Sequence, residues 1–236
     1  MMRVILKPAG VVLLAGAMTS LACITFARHE RERLREIPEA PPIDSFQTRK
    51  VKRPPKSVFD GADQMKPVNL SEAGTLDWVH WGDRGNAAIN RKAGVAPVIG
   101  TFETLKGAGV LPAGTRGPSR AFLWNDGAPE RSTKPSYSGA HVGAKDGFKL
   151  TVPATSEERT LLVFVGGWKA LPNFSAFVSD GSQPKVDVKD ISLGSGYYSR
   201  TYRVTFSASA PGQKLNVVWR MESGDGNISL QGAALR

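Results

Sequence analysis

Aromatic residues close in sequence to planar polar groups are the part of this sequence best suited to chemistry. An indole or phenol ring stacks on the apolar face of a pyranose, while amide, carboxylate and ammonium groups hydrogen-bond to its hydroxyls. The candidate ligand-binding residues are Trp81, Trp124, Asn125, Asp126, Trp168, Lys169, Asn173 and Tyr197.

The stretch GTLDWVHWGDRG, residues 74–85, holds two tryptophans in a segment with strand character. Because side chains alternate along a strand, Trp78 and Trp81 fall on opposite faces and cannot both face one core. One indole either packs under a neighbouring loop with its N–H bonded to a carbonyl, or forms an exposed platform for a sugar ring. Trp219, in LNVVWRM, alternates with apolar residues, and we expect it in the core.

Two further tryptophans are placed where strands end. Trp168 follows Gly166 and Gly167, and Trp124 precedes the turn NDGAP. Both positions could bring an indole to the rim of a β-fold. For Tyr197, after Gly-Ser-Gly, loop packing and ligand contact remain equally open.

The sequence shows no recognisable catalytic signature, such as a nucleophile elbow or paired carboxylates on facing strands, so we predict a non-catalytic protein. The three histidines are too scattered for a metal motif, and the single cysteine, Cys23, cannot form a disulfide within this chain. The sequences SDGS from 179 and GDGN from 224 could supply oxygen ligands to a structural calcium ion, but both are also ordinary turn sequences. No other cofactor is predicted.

An uncharged apolar run from Ala9 to Ala27 is about long enough to cross a bilayer as a helix. Residues 1–8 form a short basic tail before it. The run is a transmembrane signal anchor or a cleaved signal peptide, and the charged residues directly after it favour the anchor. Residues 28–67 are predicted as a charged helical extension followed by a proline-rich linker. The positive-inside rule alone would keep the rest of the chain in the cytoplasm.

From residue 68 to 236, short apolar or alternating runs are separated by glycine, proline, asparagine and aspartate. This pattern of short runs and turn residues is typical of an antiparallel β-sandwich. In YSRTYRVTFSA, alternation places Tyr202, Val204 and Phe206 on one face. No run has a sustained apolar period of 3.6 residues, so almost no helix is expected. The predicted fold class is all-β, a single sandwich domain behind one N-terminal membrane helix.

Seven blocks, in this order, resemble a β-sandwich domain found in secreted bacterial proteins. They are GTLDWVHWG at 74, NRKAGV at 90, FLWNDGAP at 122, HVGAKDGFKLTVPA at 141, RTLLVFVGGW at 159, AFVSDGSQP at 176 and APGQKLNVVW at 210. That domain is of the galactose-binding-like jelly-roll type and is often appended to polysaccharide-active proteins. The resemblance implies an antiparallel jelly roll with a carbohydrate-binding or adhesive role. It also implies a place outside the cytoplasm, which overrules the orientation expected from charge.

These features predict a membrane-anchored, single-pass binding module whose domain lies in the periplasm or outside the cell and whose partner is a glycan. The alternative is a structural or adhesive cell-envelope protein that binds another protein and has no sugar site. The net charge of +10 is spread along the chain instead of gathering on one predicted face. Nucleic acid is therefore not expected as a partner.

Overall fold

The residues described by the computed structural model are 57–60 (backbone only), 66–82, 89–106, 120–143, 145–190 and 197–236. The predicted basic tail, the membrane segment and most of the linker lie outside them. In the described part, no helix combines the length and the apolar character needed to span a bilayer.

The described residues form thirteen strands and one helical turn. The strands are β1 (Ser57–Asp60), β2 (Val68–Asn69), β3 (Asp77–Trp81), β4 (Ile89–Lys92), β5 (Glu103–Thr104), β6 (Phe122–Leu123), β7 (Gly127–Ala128), β8 (Ala140–Gly143), β9 (Gly147–Ala154), β10 (Arg159–Val178), β11 (Val186–Lys189), β12 (Tyr197–Phe206) and β13 (Gln213–Leu235). The helical turn, α1, spans Leu70–Ala73 and is capped by the side chain of Asn69, which accepts from the Ser71 N–H. The prediction of an all-β domain is confirmed.

Two long antiparallel strands, β10 and β13, pair with each other and belong to both layers of the fold. In the first layer, β12 and then β1 extend the sheet from β10, while β8 and the series β3, β4, β7 extend it from β13. In the second layer, β11 pairs with β10, and β9 followed by β5 extends the sheet from β13. The first layer uses residues 161–168 of β10, and the second layer uses residues 170–178.

A bend separates these two halves of β10. The pairing register with β13 shifts between Trp168 and Ala170 and again between Leu171 and Pro172. At this point Lys169 adopts a left-handed backbone, with φ of 44°. Extra residues of this kind increase the local bend and twist of a strand. The second layer can therefore fold over the first without a break in the strand.

The main core lies between the two layers. Tyr202, Val204 and Phe206 of β12 all face it, which confirms the predicted alternation. Tyr202 in the first layer stacks on Phe174 in the second, with ring centroids 3.9 Å apart and planes within 8°. Trp219 is buried beside Tyr202, as predicted for a core residue. The layers thus pack face to face as a sandwich.

A second apolar cluster covers the centre of the first layer on its outer side. Its members are Leu70, Trp78, Phe122, Trp124, Leu162, Phe164 and Ala234. They come from α1, from β3, β10 and β13, and from the segment around β6. β6 pairs with β2 in parallel, a departure from the antiparallel pattern that the sequence predicts throughout. The centre of the first layer is therefore buried on both sides.

Glycine, proline, asparagine and aspartate are expected to separate the strands, but two pairs of apolar runs that they divide are continuous in the sheet. The runs RTLLVFVGGW and FSAFVSD form one strand, β10, and the runs KLNVVWRM and NISLQGAAL form one strand, β13. The residues between these runs bend a continuous ladder instead of turning the chain. No strand is predicted at β4, β7 or β11, although the valines of β11 alternate with charged residues. β1 lies within residues 28–67, the predicted linker, and its backbone pairs with β12.

Gly226 permits the bend, because its backbone passes very close to β10. A Cβ at this position would clash with the Trp168 carbonyl oxygen. Gly226→Ala is therefore expected to lower the free energy of unfolding by more than about 3 kcal/mol. Gly212→Ala is the control, since Gly212 has a left-handed φ of 77° but open space around its Cβ position. Gly212→Ala is expected to lower the free energy of unfolding by about 1–2 kcal/mol. Chemical denaturation measures both, and equal losses would contradict the close approach at Gly226.

Candidate functional site

The two tryptophans of the stretch at 74–85 are both buried, in different cores. Trp81 faces the main core, where its ring meets Phe102 edge-on at 5.6 Å. Trp78 faces the second cluster, where its Nε1 donates to the Asp126 carboxylate at 2.8 Å. The predicted opposite faces of the two indoles are confirmed. Trp81, with 0% exposure, offers no surface to a sugar ring.

Trp124 and Asn125 belong to the loop that closes over Trp78. Trp124 is buried against Trp78, with ring centroids 5.4 Å apart, and its Nε1 donates to the Glu130 carbonyl at 2.9 Å. Asn125 is exposed, and its backbone N–H donates to the Ser71 hydroxyl. The indole of Trp124 is thus part of the packing under a loop, not of an exposed platform.

Asp126 ties the same loop to the sheet. Its Oδ1 accepts from Ser71 Oγ at 2.5 Å and from Trp78 Nε1 at 2.8 Å, and its Oδ2 accepts from Lys92 Nζ at 2.5 Å. Burial alone would raise the pKa of Asp126, but the hydrogen bonds from Lys92, Ser71 and Trp78 outweigh it and hold the pKa below its usual value. A carboxylate with three donors already bound has little capacity left for a ligand.

Trp168, Lys169 and Tyr197 come together at the bend. Trp168 and Tyr197 are cross-strand partners on β10 and β12, and their rings stack at 6.0 Å with an interplanar angle of 29°. The Lys169 ammonium lies 4.8 Å from the centroid of the Trp168 ring. Tyr197 is 46% exposed and Trp168 is half-buried. This aromatic pair presents ring surface and a cationic donor to solvent.

Asn173 lies in a cleft of about 840 Å³ on the outer face of the second layer. The cleft is lined by Leu171, Pro172, Asn173, Ser175, Phe177, Lys185, Asp187, Lys189, Asp190, Val218, Arg220, Glu222 and Ser223. Its volume lies in the range of roughly 300–1,000 Å³ that is usual for ligand sites.

Alternate residues of β10 form the floor of the cleft. Leu171, Asn173, Ser175 and Phe177 line it, while Phe174 between them points into the main core. Leu171 is 42% exposed and Phe177 is 36% exposed. The floor therefore has apolar surface at each end and hydrogen-bonding groups between, all on one strand.

Polar groups from β11 and β13 flank this floor. Asn173 Nδ2 donates to Asp187 Oδ1 at 2.6 Å, and Lys185 Nζ lies 3.1 Å from Asp187 Oδ2. The hydrogen bonds from Asn173 and Lys185 lower the pKa of Asp187. The registers place Lys189 directly beside Asn173 on one side and Arg220 directly beside it on the other.

An ion pair lies where the cleft meets the core. Asp190 is almost fully buried, and its Oδ2 is 3.3 Å from Nε of the buried Arg200. The Tyr202 hydroxyl lies 3.5 Å from the same oxygen, and burial together with the charge of Asp190 raises the pKa of Tyr202. The charge of Asp190 is therefore balanced from the core side.

Within the described residues, no cluster of three or more histidine, cysteine, aspartate or glutamate side chains is arranged to hold a metal ion. In SDGS at 179, the Asp180 carboxylate accepts from the hydroxyls and backbone N–H groups of Ser182 and Ser209. These bonds hold the pKa of Asp180 far below its usual value. GDGN at 224 supplies the glycines at the bend. Turn and bend geometry account for both sequences.

Sequence reasoning identified Asn173 but no other residue of the cleft. A sequence pattern that could have predicted the other polar cleft residues does exist. Lys185, Asp187 and Lys189 alternate with valines, and Arg220 alternates with apolar residues of β13. These are the polar faces of strands whose apolar faces pack inward. Which polar faces share one surface depends on the pairing of β10 with both β11 and β13, and no local pattern specifies that pairing.

Comparison with known proteins finds no matching family model and no matching curated protein. Two solved carbohydrate-binding modules resemble the chain. TmCBM61, in complex with β-1,4-galactotriose, has 12% identity and a TM-score of 0.33 over 43% of this chain and 71% of that one. Xyl-CBM35, in complex with a glucuronic acid containing disaccharide, has 17% identity and a TM-score of 0.25 over 42% of this chain and 66% of that one. Such low TM-scores assign no ligand, so the function is inferred from the side chains of this chain.

Asp126→Ala is expected to lower the free energy of unfolding by about 1–3 kcal/mol, because it leaves the buried Trp78 N–H without its acceptor. Because the pKa of Asp126 is lowered on folding, its charge contributes stability above pH ~4, and this contribution is lost as the pH falls through the folded pKa. Urea denaturation at pH 7 and pH 3 measures both effects. The control is Glu158→Ala, at an exposed position. An unchanged unfolding midpoint in Asp126→Ala would show that the loop does not depend on this carboxylate.

Proposed function

We propose that this β-sandwich is a non-catalytic carbohydrate-binding module whose site is the cleft of the second layer together with the aromatic pair at the bend. The observation that carries the proposal is that one strand, β10, presents both parts. Trp168 lies at the bend, and Leu171, Asn173 and Phe177 follow along the floor of the cleft. The two parts are neighbours along this strand, because the bend at Lys169 lies between Trp168 and Leu171.

The chemistry of this surface suits a sugar chain. The rings of Trp168 and Tyr197 provide the flat apolar surface on which a pyranose face stacks. The amide of Asn173 and the guanidinium of Arg220 provide planar hydrogen-bonding groups for hydroxyls. All four residues lie on strands, which hold side chains more rigidly than loops do.

Two of the three carboxylates that line the cleft are engaged by other side chains, which supports a binding role without catalysis. A glycosidase needs a carboxyl group whose pKa is raised so that it can donate a proton near neutral pH. In this cleft, the hydrogen bonds from Asn173 and Lys185 lower the pKa of Asp187. Asp190 is held in its ion pair with Arg200.

The proposal includes a location for the domain. Residues 9–27 anchor the chain in a membrane, residues 28–67 connect the anchor to the sandwich, and the domain faces the periplasm or the exterior as a galactose-binding-like jelly roll of a bacterial envelope. The apolar run and the resemblance of the seven sequence blocks support it.

Protease treatment of intact spheroplasts tests the location. An external domain is expected to be degraded without lysis, because the protease reaches it directly. A cytoplasmic marker protein in the same sample serves as the control and should survive until lysis. Protection of the domain together with the marker would contradict an external location.

Tyr197→Ala is expected to weaken glycan binding by about tenfold, because it removes the more exposed ring of the aromatic pair. A glycan array probed with the full chain identifies the ligand, and calorimetry with that glycan measures the affinity. Tyr137→Ala is the matched control, since Tyr137 is 52% exposed and lies outside both the cleft and the aromatic pair.

Two results would count against this site. Equal glycan affinities of Tyr197→Ala and Tyr137→Ala would show that the aromatic pair is not part of the binding site. Failure of the unmodified chain to bind any glycan would overturn the carbohydrate-binding proposal and favour an envelope protein that binds another protein.

A further inference from the structure

We infer that the cleft selects an acidic sugar, and that Lys189 and Arg220 bind its carboxylate from the two sides of Asn173. This inference rests on the proposed function and specifies the class of glycan. It concerns the charged row that crosses three strands of the second layer, not the aromatic pair.

The sheet registers build this row. Asn173 on β10 is the direct partner of Lys189 on β11 and of Arg220 on β13, and all three residues line the cleft. Direct partners on neighbouring strands project from the same face, about 5 Å apart. The Cα atoms of Lys189 and Arg220 are therefore about 10 Å apart, with Asn173 between them. Their long side chains can converge on one group above the Asn173 amide.

The charges around the row leave these two cations available. Asp187 is paired with Lys185 at 3.1 Å and hydrogen-bonded by Asn173, and the more distant charge of Lys189 contributes least to lowering its pKa. Asp190 is balanced by Arg200 in the core. Among the described residues, neither Lys189 nor Arg220 lies within ion-pair distance of a carboxylate.

Glu222 is the remaining carboxylate of the cleft. It lies two residues beyond Arg220 on β13, close to Ser223, which pairs with Leu171 at the end nearer the bend. The cleft thus has a cationic middle and an acidic end. This polarity favours a ligand whose carboxylate sits over Asn173 and whose neutral hydroxyls extend toward Glu222.

A carboxylate fits this row better than a spherical anion does. The guanidinium of Arg220 can donate two parallel hydrogen bonds to a planar carboxylate, while Lys189 acts as a point charge. Asn173 Nδ2 is engaged by Asp187, which leaves its carbonyl oxygen to accept from a sugar hydroxyl next to the carboxylate. A hexuronic acid residue carries both groups.

The test compares uronic acid oligomers with the same oligomers after their carboxyl groups are reduced to primary alcohols. The panel contains oligomers of galacturonic, glucuronic and mannuronic acid, each titrated calorimetrically into the full chain at physiological salt. At least one oligomer is expected to bind about tenfold more tightly than its reduced form. Dextran sulfate is the third arm and reports attraction to any polyanion.

Matched variants assign the effect to the row. Arg220→Gln and Lys189→Gln should each remove most of the preference for the acid over the reduced form, with little change in affinity for the reduced form. Lys214→Gln is the control, because Lys214 is an exposed cation on the same strand as Arg220 and lies outside the cleft. It should keep the full preference.

Each other outcome has a definite meaning. Equal affinity for acid and reduced oligomers overturns the acidic-sugar inference and leaves the carbohydrate-binding proposal intact. Dextran sulfate binding as tight as that of the best uronic acid, with the same loss in all three variants, shows general charge attraction and also overturns the inference. A chain that binds no oligomer in either form, and no glycan on the array, fails as a carbohydrate-binding module altogether.

Discussion

The pairing of β10 with β13 is the interaction on which the whole fold depends. The two strands remain hydrogen-bonded to each other across both layers, apart from the register shifts at the bend. β11 and β12 attach to β10, and β3, β8 and β9 attach to β13, so each layer is assembled on the same central pair. The bend brings the inward faces of that pair together, and the stack of Phe174 on Tyr202 is one result. The geometry of the core and of the cleft follows from a single two-stranded ladder.

The two layers differ in what covers their outer faces, and this difference decides which aromatic and polar residues reach solvent. Over the first layer, α1 and the loop around Asp126 enclose Trp78 and Trp124. Among the described residues, none covers the cleft of the second layer, which Asn173 and Arg220 line. The aromatic residues over the first layer therefore serve packing, whereas the polar residues of the second layer line the cleft that we propose as the site.

Much of the fold could be predicted from local pattern, and little of the site could. The alternation of Tyr202, Val204 and Phe206, the core position of Trp219 and the all-β class all follow from side-chain period within single strands. The burial of Trp81 and Trp124 depends on which segments cover them. The row through Asn173 depends on register between strands distant in sequence. A short window of residues specifies neither the segments that pack over a given side chain nor the register between distant strands. The membrane segment at 9–27 stays a prediction from the sequence.

The place of β13 in the chain also governs when the domain can acquire its structure. β13 is the last strand of the described sequence, yet it forms the centre of both layers. During synthesis, the edges of β3, β9 and β10 that it occupies stay without a neighbour until residues 213–235 have emerged. Contacts of such long sequence separation form slowly. Neither layer can therefore be completed before residues 213–235 are available to pair.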